Sequence, residues 1–275
     1  MTTLGVDLTG APRAVIVDDA GAVTAREQGS SREDVIKAAT RETRVKAVGI
    51  AIPNDADHKI GIAGAPVTRC SPGSAAVTAE VWIGMAQGAK HAIALSIGEQ
   101  VYAGLLLEGR VWTGAHNRAG AAAWLALNPV ERQDYRKLGS LAAEVGFRGI
   151  ARRLSWRVQA GDESAVLERA GDLDAITAAH VFDGARSGDG VAISVVRDTA
   201  KYIGMAVANL TATIDPEVIV ISGEIAEAKD LLLEPVLQEC ARRLPTATMD
   251  ALRVGFSALG SDAVAIGAAR LAMSA

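Results

Sequence analysis

The sequence predicts an α/β protein of two lobes, and three observations carry that prediction. Three short strands, a helix and a buried strand open the chain, and a second strand trio begins near residue 91. Two apolar runs, residues 45–52 and 217–222, have the continuous character of strands buried on both faces. Between them, residues 135–210 read as mostly helical.

The elements follow in order. Leu4-Gly5-Val6-Asp7 reads as a buried strand, followed by strands over 13–18 and 22–27, with turns at Gly10 and Ala20-Gly21. A helix starts after Ser31, with Asp34 three positions on as a capping arrangement. The run 45–52 is the next strand. A strand ends before Ser71 and a helix follows. Strands over 91–97, 100–107 and 110–113 come next, with a turn at Glu108-Gly109. The last of the following helices spans 189–214 and feeds the strand 217–222; a helix over 262–273 closes the chain. Only the order of elements repeats, not the sequence. A duplicated unit of this kind matches the actin-like ATPase (ribonuclease H-like) architecture, two lobes facing each other across a nucleotide cleft. The lobes expected are 1–70 plus 262–275, and 71–261 with dimerising helices.

Composition bounds the function. The chain has 275 residues, 49% hydrophobic and 22% charged, ordinary values for a globular protein. Its net charge of −4 and scattered basic groups argue against direct nucleic-acid binding. Arg152-Arg153 and Arg242-Arg243 read as solvated helix faces. Cys70 and Cys240 fit a reduced chain, and neither has a metal-ligand spacing. The first strand begins by Leu4, leaving no room for a leader, and no apolar run reaches spanning length. The expectation is a cytoplasmic protein without membrane contact.

Five stretches, in order, resemble the ROK family (repressor, open reading frame, kinase). They are Leu4-Gly5-Val6-Asp7-Leu8-Thr9-Gly10, residues 97–124, residues 207–228, residues 230–239 and residues 260–272. The resemblance implies an ATP-dependent sugar kinase on a two-lobed fold, and a homodimer joined through the second lobe. It also sets a pattern from which this chain departs.

The departures fall on the chemistry. The family carries Asn-Asp-Ala-Asn at the start of the helix after residue 70, its Asp the general base. Here the segment is Ser71-Pro72-Gly73-Ser74, and Pro72 can accept no proton. The first phosphate loop keeps Asp7 and Gly10, but Pro12 has lost a backbone donor. Asp7 reads either as a ligand to hydrated magnesium or as a turn cap. The glycine-rich second phosphate loop is here Gly98-Glu99-Gln100-Val101-Tyr102-Ala103-Gly104. Glu99 would set a carboxylate against phosphate, and reads as a surface group before it reads as a substitute base.

The sugar-gripping Glu and His of the family motif are replaced within Gly120-Ala121-Ala122-Ala123-Trp124, where Trp124 is expected to fill the emptied space as core. The zinc loop that usually follows has no cysteine here, which excludes zinc. Between Pro53 and Pro66 the chain is short, removing one pocket wall. Asn54-Asp55-Ala56-Asp57 mimics the missing signature but follows a different strand, and reads as a polar turn, as does His58. Gly223 keeps the adenosine-side turn. Glu224 beside it reads as a helix cap before it reads as a ligand to ribose or amine.

Asp7, Gly10, Gly98, Gly104, Gly223 and Glu224 are thus the cofactor-side candidates, for residual ATP and magnesium; no cofactor is firmly implied. The catalytic position is vacant at Pro72. These losses read together as a catalytically inactive sugar-kinase homologue, kept for binding a small effector, such as a sugar, or for assembly. The competing class is an active ATP-dependent kinase of hexoses or amino sugars, with Asp55 or Glu99 as base.

Overall fold

The computed structural model describes residues 2–41, 43–53 and 65–274. Two five-stranded sheets organise it. The first opens with β1 (Thr3–Asp7), β2 (Arg13–Val17) and β3 (Val23–Gln28), an antiparallel meander. Helix α1 (Arg32–Ala39) follows, and the Ser31 hydroxyl accepts from the backbone N–H of Asp34 at 3.3 Å, closing its first turn. α1 returns the chain to β4 (Ala47–Ala51), which pairs parallel with β1; β5 (Val67–Cys70) adds parallel to β4. The sheet order is β3-β2-β1-β4-β5.

Helix α2 (Pro72–Trp82) leads to the second sheet. There β6 (Ala92–Ile97), β7 (Val101–Leu107) and β8 (Arg110–Val111) form another meander. A helical stretch follows: α3 (Gln133–Leu138), α4 (Ser140–Val145), α5 (Phe147–Gln159), α6 (Ala165–Ala170), α7 (Ala178–Arg186) and the long α8 (Gly190–Ile214). Asp189 caps α8 by accepting from the Ala192 N–H at 2.8 Å. β9 (Val218–Ser222) pairs parallel with β6, α9 (Lys229–Ala241) and α10 (Thr246–Ala251) follow, and β10 (Arg253–Phe256) pairs parallel with β9. α11 (Ala263–Met273) ends the fold. The second order is β10-β9-β6-β7-β8, the same sequence of meander and parallel addition as the first.

β10 has no counterpart among the strands expected from apolar periodicity. Its residues are half-exposed at a sheet edge and carry no alternation strong enough to read. Arg153 departs from the solvated face expected of it: it points inward, its side chain 12% exposed.

Backbone, with no side chain between, joins the two sheets. A Cβ at Gly5 of β1 would lie 1.8 Å from the Ala265 carbonyl oxygen, and one at Gly49 of β4 would lie 1.8 Å from that of Ala268. On its other side α11 meets α2, where a Cβ at Gly267 would stand 1.7 Å from the Ala75 oxygen. α2 in turn lies on β7, with Gly73 and Gly104 facing each other across a gap too small for any Cβ. The rest of α11 facing inward is alanine, valine and isoleucine, fully or nearly buried. Small residues here let the helices approach within backbone contact.

Gly49→Ala is therefore expected to lower stability by roughly 1–3 kcal/mol through overpacking. Gly190→Ala at the start of α8, where a Cβ meets nothing within 4 Å, is expected to stay within about 0.5 kcal/mol of the parent. Urea denaturation midpoints of the two variants check the contrast.

Candidate functional site

A cavity of about 200 Å³ lies where the ends of β1, β6 and β9 converge. Asp7, Gly10, Gly98, Glu99, Gly223 and Glu224 all line it. Loops from both sheets thus bring together residues more than 200 positions apart in sequence.

Asp7 ends β1. Its Oδ1 accepts from the Thr9 backbone N–H at 2.9 Å and from the Thr9 hydroxyl at 2.7 Å, fixing the turn into β2. Burial pushes the Asp7 carboxyl above the usual range; the Thr9 hydrogen bonds and the charge of Arg13 oppose that shift. A buried carboxylate with this limited set of partners is one that a hydrated magnesium ion would satisfy, and Asp7 is the residue that would hold it.

Tyr102, on β7, reaches from the second sheet to the first. Its side chain lines the same cavity as Thr9 and Ser96 and lies close enough to Asp7 and Glu224 to feel both charges. Burial first, and then the Asp7 charge, push the phenol above its ordinary value. Ser96 is itself buried against Ser222, the two hydroxyls 2.6 Å apart between β6 and β9.

Glu224 departs from the helix-cap expectation. It begins a short 3₁₀ turn, residues Glu224–Ala228, whose N-cap is Gly223, and no side chain caps that turn. Its carboxylate folds back over Gly98 instead, where a Cβ would lie 2.6 Å from Oε2. Burial, then the charge of Glu99, raises its pKa. Gly223 must be glycine: its φ is +83°, and a Cβ would press on the Ile97 oxygen at 2.7 Å. Glu99 is half-exposed in the bend between β6 and β7 and pairs with Arg148 at 3.0 Å. Such an exposed pair contributes little to stability.

Gly104 does not line the cavity. It sits within β7, and its missing side chain serves the approach of α2. A glycine retained for packing is indistinguishable in sequence from one retained for phosphate.

Pro72 is the first residue of α2, a position where the missing N–H costs no hydrogen bond. Ser71 caps the helix, its Oγ accepting from the Ser74 N–H at 3.1 Å. The segment is a well-formed helix start. Beside it opens a second cavity of about 490 Å³, walled by residues that include Pro53, Arg69, Cys70, Ser71, Ser74 and Thr113. Among the described residues no carboxylate or imidazole lines it. The Cys70 thiol is pushed up to about 12 by burial and by the Asp7 charge, so it is no nucleophile at neutral pH. Asn54, Asp55, Asp57 and His58 lie outside the described residues.

Trp124 is not core; it is 58% exposed. The backbone of its turn packs closely instead: a Cβ at Gly139 would lie 2.2 Å from the Ala123 oxygen, and one at Gly120 would lie 1.9 Å from that of Ala103. With the main chain pinned on both sides, the indole is left facing out. Among the described residues, no helix is long and apolar enough to cross a membrane.

The paired meanders with parallel additions, and a cavity between their strand ends, define an actin-like ATPase fold. A glucokinase of the ROK family from Streptomyces griseus, solved with glucose and AMPPNP, superposes with a TM-score of 0.86 at 23% identity, covering 100% of both chains. The ROK family model matches residues 63–275. The chain belongs to the ROK family. A glucokinase of Halalkalibacterium halodurans is 31% identical over 204 residues, 74% of this chain and 62% of that protein. The bifunctional enzyme NanE/NanK of Brucella melitensis is 32% identical over 230 residues, 81% of this chain and 39% of that protein. The chain therefore spans less than two thirds of the length of these relatives.

Because its folded-state pKa is raised, Asp7 binds protons more readily in the folded than in the unfolded chain. Its contribution to stability is then full below the ordinary carboxylate pKa of about 4 and is lost as pH rises through the folded value. Asp7→Asn, which keeps an acceptor for Thr9, is expected to be more stable than the parent at pH 7 and equal to it near pH 3. Thermal unfolding across that range tests the sign.

Proposed function

We propose that this chain is a sugar-kinase homologue whose cleft no longer transfers phosphoryl groups and is kept for binding a small ligand or for assembly as a homodimer. The observation that carries the reading is Tyr102. Where the resemblance puts a phosphate-loop glycine, a phenol lines the cleft together with Asp7 and Thr9. Phosphoryl transfer depends on positioning and charge stabilisation of the transferred group. A tyrosine lining that cleft, with the Glu224 carboxylate beside it, opposes both. The helix start at Pro72 supports the same reading, because no group there can take a proton from a sugar hydroxyl.

A second reading is an active ATP-dependent kinase of a hexose or amino sugar. Asp7 favours it, placed to hold a hydrated magnesium ion, and the named relatives support it more directly than the first. Bound MgATP would supply the phosphoryl group and the neutralising charge. The chain would then need a base from Asp55 or Glu99. Glu99 is engaged by Arg148 at the outer edge of the cavity.

Incubating the protein with MgATP and a panel of hexoses and N-acetylhexosamines separates the two. The first reading expects no sugar phosphate above the enzyme-free rate. It also expects Pro72→Asp to stay inactive, because Ala121 and Trp124 still stand in place of the sugar ligands. Turnover by the parent that falls at least 100-fold in Asp7→Asn, the scale of losing one charge-stabilising group, would establish the kinase instead.

A further inference from the structure

A third hollow, of about 680 Å³, opens on the helical side of the second lobe, lined by none of the cleft residues. α5 and α8 form its long walls, through Trp156 and Arg157 on one and Lys201 and Tyr202 on the other. Five cationic side chains line it, those of Arg132, Arg153, Arg157, Lys201 and Arg243, against the three carboxylates of Glu144, Asp162 and Asp198.

Several of these charges are already matched. Arg157 holds Asp162 at 2.6 Å, and Arg243 holds Glu239 at 2.6 Å. Glu144, only 2% exposed, accepts from the Tyr135 hydroxyl and from Arg132 at 3.3 Å. Arg153 is different. Its Nη2 donates to the Glu144 carbonyl at 2.8 Å and to the Thr199 hydroxyl at 2.5 Å. Its Nε and Nη1 are buried and have no hydrogen-bond partner; the nearest carboxylate oxygen, on Glu144, stands 4.0 Å from Nε. Three N–H bonds of a buried guanidinium are therefore without acceptors. Burial pulls the Arg153 pKa down, with Glu144 and Asp198 opposing.

A buried cation with unmet donors is costly unless something supplies the acceptors. Guanidinium matches the oxygens of carboxylate and phosphate, and a roomy hollow with an excess of positive lining admits them. We propose that this hollow is an anion site for a small metabolite bearing a phosphate or carboxylate group, with Arg153 buried at its base and Lys201 exposed at its rim. Trp156, Tyr202 and Met205 offer apolar surface to the rest of such a molecule. The site is separate from the cleft and independent of whether the cleft transfers phosphate.

Isothermal titration calorimetry of the full chain at low ionic strength tests this, with inorganic phosphate and citrate as separate titrants. Saturable one-site binding of at least one is expected, weakened roughly tenfold by Lys201→Ala and by Arg153→Gln. Binding of phosphate alone assigns a phosphorylated ligand, and of citrate alone a carboxylate. Arg13→Gln removes the cationic side chain that lines the cleft among the described residues, and is expected to leave the binding unchanged. Should Arg153→Gln fail to fold, Lys201→Ala on the exposed face keeps the test. The proposal is overturned if neither anion binds, if binding withstands Lys201→Ala, or if it is lost in Arg13→Gln.

Discussion

Backbone contact between α11, α2 and the two sheets is the constraint on which the rest of this structure depends. Side chains can adjust by changing rotamer, but a carbonyl oxygen seated where a Cβ would be leaves no such freedom. Gly5 and Gly49 bring α11 onto β1 and β4; Gly267 brings it onto α2; Gly73 and Gly104 bring α2 onto β7. The chain of contacts fixes the end of β1, which carries Asp7, relative to β7, which carries Tyr102. The geometry of the cleft is set by packing remote from it.

Within that frame, two positions of β7 have different surroundings. Gly104 has α2 lying against it, and Tyr102 lines the cavity. The floor of the cleft is correspondingly acidic and poorly solvated. Asp7 and Glu224 are both pushed up chiefly by burial, and Arg13 is shared with Asp262 at 3.2 Å and with Gln28 at 3.1 Å. The helical face of the second lobe has the opposite character, with surplus guanidinium and ammonium groups around Arg153.

Much of the fold was legible in the sequence because its signals are local. Apolar runs marked β4 and β9, and Ser31 marked the helix start that it caps. Both sheets, apart from β10, followed from the repeated order of elements and the family resemblance. What was not legible depends on contacts between distant segments. Glu224 looked like a cap because acidic residues favour helix N-termini, but the tertiary approach of Gly98 gave its carboxylate another place. Trp124 looked like core because it is large and apolar, yet its backbone is held by Gly120 and Gly139 and its ring faces out. Arg153 sat in a charged pair typical of a solvated face, and only the packing of α4, α5 and α8 buries it. Tyr102 and Thr9 line one cavity from different sheets, and no periodicity encodes that.

Binding of a fluorescent ATP analogue with magnesium tests whether Tyr102 keeps a nucleotide out of the cleft. Titrations of the parent and of Tyr102→Gly by fluorescence anisotropy compare the cleft with and without the phenol. The parent is expected to bind weakly or not at all, and Tyr102→Gly at least tenfold more tightly, about 1.4 kcal/mol. Equal and tight binding by both proteins would contradict it, because the tyrosine would then leave the nucleotide's place open.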